Sequence, residues 1–310
     1  MAGLDAIIHR KKPSRLDRIL DNPYRYIAQA LYSLQPQVSL KAPDSAGASS
    51  DSNRLKVVCI SDTHNRQFHD LPEGDVLVHA GDITEKGTLD ELRNAIDWLD
   101  SLPHKYKVVI GGNHDGCLDS KKSSSTTDNA INWKSLVYLQ DSSIVLNIPG
   151  KSRAVKIYGN PSSPKHGTST FQYPRSDDFW RNKAPEGVDI LITHCPPRHH
   201  LDSHAGCASL IEEIWRVRPQ LHVFGHIHSG RGTKVLEYDQ FQRSYERLSE
   251  KEDVVLNILT MLWCLLIKAF YSICRVTQRK GETILVNATM VTGRRNEPIA
   301  SGSTSAVIYL

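Results

Sequence analysis

The sequence predicts an α/β domain with one apolar helix inserted into it, and three observations lead there. From Lys56 onward, short apolar runs alternate with a helical pattern. Those runs end repeatedly in glycine, aspartate, asparagine or histidine. Late in the chain, a greasy run with a single charge separates two segments that read as strands of one domain.

Taken in order, residues 1–36 read as an N-terminal helical extension. Leu16, Leu20, Tyr24, Ile27, Leu31 and Leu34 recur near helical spacing among Arg15, Arg18 and Arg25, and Asn22-Pro23 breaks the stretch into two short helices. A helix packed on the domain and a basic amphipathic helix at a membrane surface both fit this pattern. Residues 37–54, with "APDSAGASSDSNR", read as a flexible linker. The main domain is expected over 55–310. "KVVCIS", "DVLVHAGD", "YKVVIGGNHD", "AVKIYGN", "VDILITHCPP" and "LHVFGHIH" are its strands, apolar enough to be buried on both faces. "ELRNAIDWLDSL" is a helix between two of them, and 116–130 is a loop.

Composition narrows the class. With 38 Lys and Arg against 34 Asp and Glu, the net charge of +4 is too mild to imply nucleic acid, and no basic-aromatic stripe suggests a long one. Six cysteines without a CxxC pair read as free thiols of a reducing compartment. The N-terminal twenty residues hold no uninterrupted apolar core of roughly 7–15 residues, so a cytoplasmic location is expected. Fourteen histidines raise the prospect of metal binding. The sequon at Asn287 falls inside an apolar strand and is discounted.

Chemistry gathers at the strand ends: Asp62 and His64 in "SDTH", Asp82 in "AGDIT", Asn113, His114 and Asp115 in "GGNHD", His194 in "THCPP", His226 and His228 in "GHIH". One such histidine alone is usually a satisfied core or turn residue. Five groups in succession, each after an apolar strand, are not explained that way. Asp62-x-His64 and His226-x-His228 would each place two side chains on one side of an extended chain. Mixed nitrogen and oxygen donors without thiolates suit Mn, Fe, Zn or Co rather than a structural zinc cage. Asp82 is the natural bridge between two cations, and Asn113 adds a neutral oxygen.

In this order, D-x-H, G-D, G-N-H-D, T-H and G-H-x-H resemble the calcineurin-like metallophosphoesterase superfamily through residues 56–232 and again from 282 to 310. "YLQDS", "IYGNP", "PEGVDILITHCPP" and "RPQLHVFGHIHSGRGT" narrow the resemblance to the metallophosphoesterase domain-containing proteins of animals and their fungal relatives. The resemblance implies a four-layer α/β/β/α sandwich of two mixed sheets. It implies two divalent ions, Mn, Fe or Zn. One is held by Asp62, His64, Asp82 and His228, the other by Asp82, Asn113, His194 and His226. The last histidine of G-H-x-H, absent from some poorly active relatives, is present here. The implied reaction is phosphoester hydrolysis in which the metal pair activates the attacking hydroxide. His114 contacts phosphate or protonates the leaving group, and Asp115 orients His114. Small cyclic nucleotide diesters are the favoured substrates; phosphomonoesters, phosphoproteins and a non-catalytic membrane-docked module are the alternatives. Cys195 stands where relatives often carry glycine, either as a packing variant or as a redox-sensitive neighbour of the metals. His166, His199, His200 and His204 are candidate substrate contacts, each of which also reads as an ordinary loop residue.

The inserted helix is expected at about 254–276. Residues 254–274 hold one charge, Lys268. As a helix they would span about 31 Å, near the thickness of a bilayer core. A crossing would leave "ETILVNATM" on the far side of the membrane from the sheet it should complete. Asn257, Thr260, Cys264, Lys268, Ser272, Arg275 and Arg279 instead form one narrow polar stripe. A monotopic helix in a cytosolic leaflet, its basic end at anionic headgroups, is favoured over a helix packed on the domain or a true span. Oligomeric state is left open.

Overall fold

The computed structural model describes residues 19–20, 22–35, 54–119, 131–151, 153–274, 281–292, 297–299 and 305–310. The expected linker therefore lies, apart from Arg54, outside the described residues, as do most of the loop after Asp119 and the basic residues Arg275, Arg279 and Lys280. The chain forms two units: Met1–His9, Lys41–Lys234 and Ile284–Leu310 make the first, and Arg10–Leu40 with Val235–Thr283 the second.

The strands are β1 (Lys56–Ile60), β2 (Val76–Ala80), β3 (Tyr106–Ile110), β4 (Leu136–Tyr138), β5 (Ser142–Leu146), β6 (Val155–Asn160), β7 (Ser163–Pro164), β8 (Gln172–Tyr173), β9 (Ile190–Thr193), β10 (Leu221–Phe224), β11 (Gly232–Glu237), β12 (Glu282–Asn287), β13 (Val291–Thr292), β14 (Glu297–Pro298) and β15 (Ala306–Tyr309). The helices are α1 (Pro23–Ser33), α2 (Leu89–Ser101), α3 (Ala208–Val217), α4 (Gln240–Ser249) and α5 (Val254–Ile273).

Two mixed sheets form the centre. The first runs β15-β1-β2-β3-β4, parallel except for β15, which pairs antiparallel with β1. The second runs β11-β12-β10-β9-β6-β5, with β12, β10, β9 and β6 parallel and β5 antiparallel to β6. Alternation along the strands divides the apolar side chains between faces. Val57, Cys59, Val76, Val78, Val108 and Ile110 of the first sheet share one core with Ile157, Ile190, Ile192, Val223 and Val286 of the second. On the other face of the first sheet, Val58, Ile60, Leu77 and Val109 meet Leu92, Ile96, Trp98 and Leu99 of α2. Thr88 caps α2 by accepting from the Glu91 N–H at 3.3 Å, and Asp90 and Glu91 complement its positive end. Helix α3 connects the parallel neighbours β9 and β10. The inner face is occupied by the first sheet, so α3 supplies the helical layer outside the second. This is the four-layer α/β/β/α sandwich.

Strand β12 pairs with β10 in the register Leu221↔Ile284 to Phe224↔Asn287, so the segment after the apolar helix does complete the sheet. Asn287 is buried and donates to the carbonyls of Ile227 and Leu201 at 2.9 and 3.1 Å. That accounts for its sequon as structure rather than as a glycan acceptor.

The second unit contains α1, α4 and α5. Asn22 accepts from the Arg25 N–H and Pro23 opens α1, which places the break where the sequence predicts it. Ala28, Phe241, Tyr245, Leu248 and Met261 form a small core with Leu31, Tyr32, Ile258 and Leu265 around it. Two residues of the polar stripe of α5, Asn257 and Lys268, turn inward here. Asn257 is buried and donates to the Glu252 carbonyl at 2.8 Å. Lys268 pairs with Glu237 at 2.7 Å and Asp239 at 3.2 Å, and lies 4.9 Å from the centre of the Phe241 ring. The basic end expected at headgroups, Arg275, Arg279 and Lys280, lies outside the described residues. Two carboxylates on neighbouring chain draw the ammonium in, and the outward face is the apolar one: Val255, Leu256, Leu259, Leu262, Trp263, Leu266 and Phe270 are all exposed.

Candidate metal centre

The residues singled out at the strand ends converge at the carboxyl ends of parallel strands, where loops of an α/β sheet build sites. Asp62 and His64 follow β1, Asp82 follows β2, Asn113 to Asp115 follow β3, His194 follows β9, and His226 and His228 follow β10. Asp62, His64 and His228 bring three donor atoms within 4.8 Å of one another, and so do Asp82, His194 and His226. All six are buried.

The local backbone differs from the extended pairs the sequence suggests. Asp62, His64, Asp82 and His226 have φ of 54°, 46°, 53° and 67°. Left-handed conformations in non-glycine residues carry strain that the surroundings must hold in place, and they concentrate at functional sites. Strand β1 stops at Ile60 and β10 at Phe224, so neither D-x-H nor H-x-H lies on pleated strand. His226 and His228 accordingly belong to different clusters.

Close approach is enforced by two glycines. A side chain on Gly225 would lie 2.0 Å from an Asp62 carboxylate oxygen, and one on Gly112 would lie 2.3 Å from Asp82 Oδ1. The carboxylates are oriented by main chain: the His226 N–H donates to both Asp62 oxygens at 3.0 and 3.1 Å, and the His114 N–H donates to Asp82 Oδ1 at 2.8 Å. His194 is fixed at both nitrogens. Nδ1 donates to the Ala80 carbonyl at 2.9 Å, which leaves Nε2 facing Asn113 Oδ1 at 2.9 Å and Asp82 Oδ1 at 3.4 Å.

Electrostatics leave Asp62, Asp82, His64 and His226 in ligand form near neutral pH; burial acts to lower the pKa of His194, but Asp82 outweighs it and raises it to about 9, so a cation there would have to displace the Nε2 proton. Burial acts to raise the pKa of Asp62 and of Asp82, but contacts with His228 and His194 outweigh it and hold both carboxyls well below the usual range. Burial pushes His226 down to about 3 and also lowers His64. His64 Nδ1 and Nε2 and His228 Nδ1 are buried without a hydrogen-bond partner. Buried polar atoms normally have one. Lone pairs left unspent beside ionised carboxylates fit a pair of divalent cations.

His114 sits next to this centre, its ring 4.7 Å from that of His64 and edge-on to it. The orienting role that the sequence gives to Asp115 is taken by another group. Asp115 accepts from the N–H of Ile83, Thr84 and Gly112 and from Thr84 Oγ1, so it ties the β2 and β3 loops together. Burial and the charge of Asp82 push its pKa up to about 6 against those bonds. It is the Glu85 carbonyl that holds His114 Nδ1, at 2.7 Å. Asp82's charge is the largest influence raising the His114 pKa, against burial and with the help of the Glu85 bond.

The four candidate substrate contacts lie outside both clusters. His200 is fully buried, which removes it from any substrate-facing surface in this structure. Asp202 receives the backbone N–H of His199, His204 and Gly206, and so organises that loop from within. His166 is half-buried. Cys195 is buried with its Sγ 3.6 Å from the Ser162 carbonyl, and none of the six cysteines forms a disulfide.

Two supporting histidines were not singled out from the sequence. His79 Nε2 lies 2.9 Å from Thr63 Oγ1, between Asp62 and His64, and His222 Nε2 lies 2.8 Å from Thr193 Oγ1, just before His194. A histidine inside an apolar strand, as in "VLVHA" and "LHVF", is the signal for each.

Two buried carboxylate–histidine clusters at the mouth of an α/β/β/α sandwich define a class of metal-dependent phosphoester hydrolases. A sequence profile of the calcineurin-like phosphoesterase family matches residues 55–230. The chain belongs to the calcineurin-like phosphoesterase family. It is 39% identical to human metallophosphoesterase domain-containing protein 1 over 227 residues, covering 64% of this chain and 68% of the human one. It is 35% identical to a UPF0046 protein of Caenorhabditis elegans over 204 residues, 57% of this chain and 65% of the relative. It is also 40% identical over 299 residues to a probable rhamnogalacturonate lyase C of Emericella nidulans. That match takes in 94% of this chain but only 28% of the relative, so the chain spans little more than a quarter of the protein so named.

Proposed function

We propose that this chain is a two-metal phosphodiesterase acting on small phosphoesters of the cyclic nucleotide class. The observation that supports it most is the pair of buried donor clusters, Asp62/His64/His228 and Asp82/His194/His226, set side by side with unpartnered imidazole nitrogens. In this reading Asp62, His64, Asp82 and His228 would hold one ion, and Asp82, Asn113, His194 and His226 would hold the other. The thiolate-free donor set suits Mn, Fe or Zn. Such ions, when bound, supply Lewis acidity and water of lowered pKa. The protein's own groups do the rest. Main-chain N–H groups hold the Asp62 and Asp82 carboxylates in place. His114, with Nδ1 on the Glu85 carbonyl, presents Nε2 for a phosphate oxygen or for protonation of the leaving alkoxide. Asp115 fixes the loops that carry both groups.

The diester choice rests on the subgroup the sequence resembles. It is tested by comparing hydrolysis of bis(p-nitrophenyl) phosphate with that of p-nitrophenyl phosphate, followed by a panel of cyclic nucleotides, with Asp82→Asn as control. Metal-dependent turnover that prefers the diester supports it. Preference for the monoester overturns it, and metal-free, inactive protein overturns the enzyme reading altogether.

The same proposal places the protein at a membrane surface through α5. Val254–Ser272 is long and apolar enough to cross a bilayer by length and composition. The exposed face from Val255 to Phe270 extends about 23 Å. Its exposed large side chains are all apolar, and Lys268 is engaged by Glu237 and Asp239. Such a face offers a protein partner almost nothing to hydrogen-bond, whereas a lipid leaflet needs nothing of the kind. The net charge of +4 adds attraction to anionic lipid. Flotation with phosphatidylcholine–phosphatidylserine vesicles tests this. Wild type should float, and Leu259→Glu/Leu266→Glu should not. Equal flotation of the two, or a wild-type protein that stays off vesicles as a self-associated species, sinks the membrane reading.

A further inference from the structure

We infer that Glu85 is a positioning residue for the metal centre, acting through His64 and His114 together. This rests on the two-metal reading above. Glu85 lies three residues after Asp82, in the loop beyond β2; the sequence assigns it to neither ion, yet its carboxylate lies within 4.8 Å of donor nitrogens of both His64 and His114. Its carboxylate Oε2 is 3.4 Å from His64 Nδ1, while His64 Nε2 points the opposite way, 3.9 Å from Asp82 Oδ2. His64 is nearly inaccessible, and neither of its ring nitrogens has a hydrogen-bond partner.

A neutral imidazole carries one N–H, and the neighbour of each nitrogen decides which. With a carboxylate on the Nδ1 side, the proton goes to Nδ1 and the Nε2 lone pair faces the Asp62/His64/His228 cluster. A carboxylate behind a ligating histidine fixes its ring, sets its tautomer and raises its basicity. The Glu85 carbonyl does the same for His114 by accepting from Nδ1 at 2.7 Å. One residue therefore sets the tautomers of two histidines, by its side chain for one and its main chain for the other.

The main-chain role does not depend on the side chain. The loop is pinned on one side by Thr84, whose N–H and hydroxyl both donate to Asp115. It is pinned on the other by the Gly87 carbonyl, which accepts from the Cys117 N–H at 3.1 Å, and by the Lys86 N–H, which donates to Glu91 Oε2 at 2.7 Å. Substitution at Glu85 should leave the carbonyl, and hence His114, in place. About two-fifths of the carboxylate's side chain is exposed (44%), so a change there meets little packing resistance.

The test is titration of apoprotein with Mn²⁺ for wild type, Glu85→Gln and Glu85→Ala, together with ¹⁵N-histidine NMR of the Zn²⁺-loaded proteins. Wild type should take up two ions. Glu85→Ala should weaken one of them by about 10–100-fold and leave the other unchanged, with loss of the Nδ1–H signal pattern of His64. Glu85→Gln, whose amide oxygen offers Nδ1 an acceptor in the same place, should retain that pattern and recover much of the affinity. Wild-type affinity in Glu85→Ala overturns the proposal, and so does a Gln variant as weak as Ala, which would make Glu85 a direct ligand. Wild type that binds no Mn²⁺ defeats the two-metal reading itself, an outcome distinct from either of these.

Discussion

The main-chain N–H of His226 donates to both carboxylate oxygens of Asp62, 164 residues earlier in the chain. This bond ties the loop after β1, in one sheet, to the loop after β10, in the other. It works only because Gly225 has no side chain, since a Cβ there would fall 2.0 Å from Asp62 Oδ2 and 2.1 Å from Ser61 Oγ. Gly225→Ala should therefore push the two loops apart. We expect a cost of about 1–3 kcal/mol, the range for forced overpacking, read from urea midpoints. Bound metal should fall in parallel, measured by equilibrium dialysis.

Asp82 and His114 should separate binding from turnover. Asp82→Asn removes a carboxylate that stands near His64 at 3.9 Å and His194 at 3.4 Å, and metal content should collapse along with activity. His114→Ala should leave metal content intact and lower kcat by about 10²–10⁴-fold, the usual contribution of a positioned acid. Loss of metal in His114→Ala would count against its assigned role.

His222 makes acid stability testable. It is fully buried in β10, and burial pushes its pKa down to about 3. An unfolded chain binds a proton there below the ordinary histidine value of about 6.5, while the folded chain does not. The stabilising contribution is thus complete above that value and is lost as pH falls from it toward about 3. Between pH 6.5 and 5 this one residue should cost about 2 kcal/mol, and His222→Gln should remove that share of the slope in urea unfolding.

Lys268 tests the second unit. Lys268→Met leaves the outward face of α5 unchanged but removes the ammonium from Glu237 and Asp239. We expect about 1–3 kcal/mol of destabilisation, the scale of lost hydrogen bonds to a charged group. Lys268→Met/Glu237→Gln should recover part of it by removing one of the carboxylates left behind.

Much of the fold was legible because apolar runs of about five residues between turn signals have few alternatives. "KVVCI", "VLVHA" and "YKVVI" became β1, β2 and β3, and "ETILVN" rejoined the second sheet after the insertion. The strand-end order of Asp62, Asp82, Asn113, His194 and His226 named the residues that gather. What order could not give was direction. Asp62 and His64 turn through left-handed backbone, and nothing in D-x-H distinguishes that from extended chain. Asp115 lies beside His114 in sequence yet bonds to Ile83 and Thr84, while the group facing His114 Nδ1 lies 29 residues upstream. The polar stripe of α5 was visible, but the partners of Lys268, Glu237 and Asp239, lie outside that helix, so the inward turn of Lys268 was not.

Strands β11 and β12 are neighbours in the second sheet, and the chain leaves one and rejoins the other through a hydrogen bond from the Tyr238 N–H to the Gly281 carbonyl at 3.2 Å. Topologically, everything between these two residues is the loop of a strand-to-strand connection, whatever its length. A short turn, a longer helical excursion or a wholly different segment could occupy that position without altering a strand register or a donor atom. The architecture thus provides a port: the excursion between Tyr238 and Gly281 can differ in length or kind while the donor residues at the ends of β1, β2, β3, β9 and β10 keep their places.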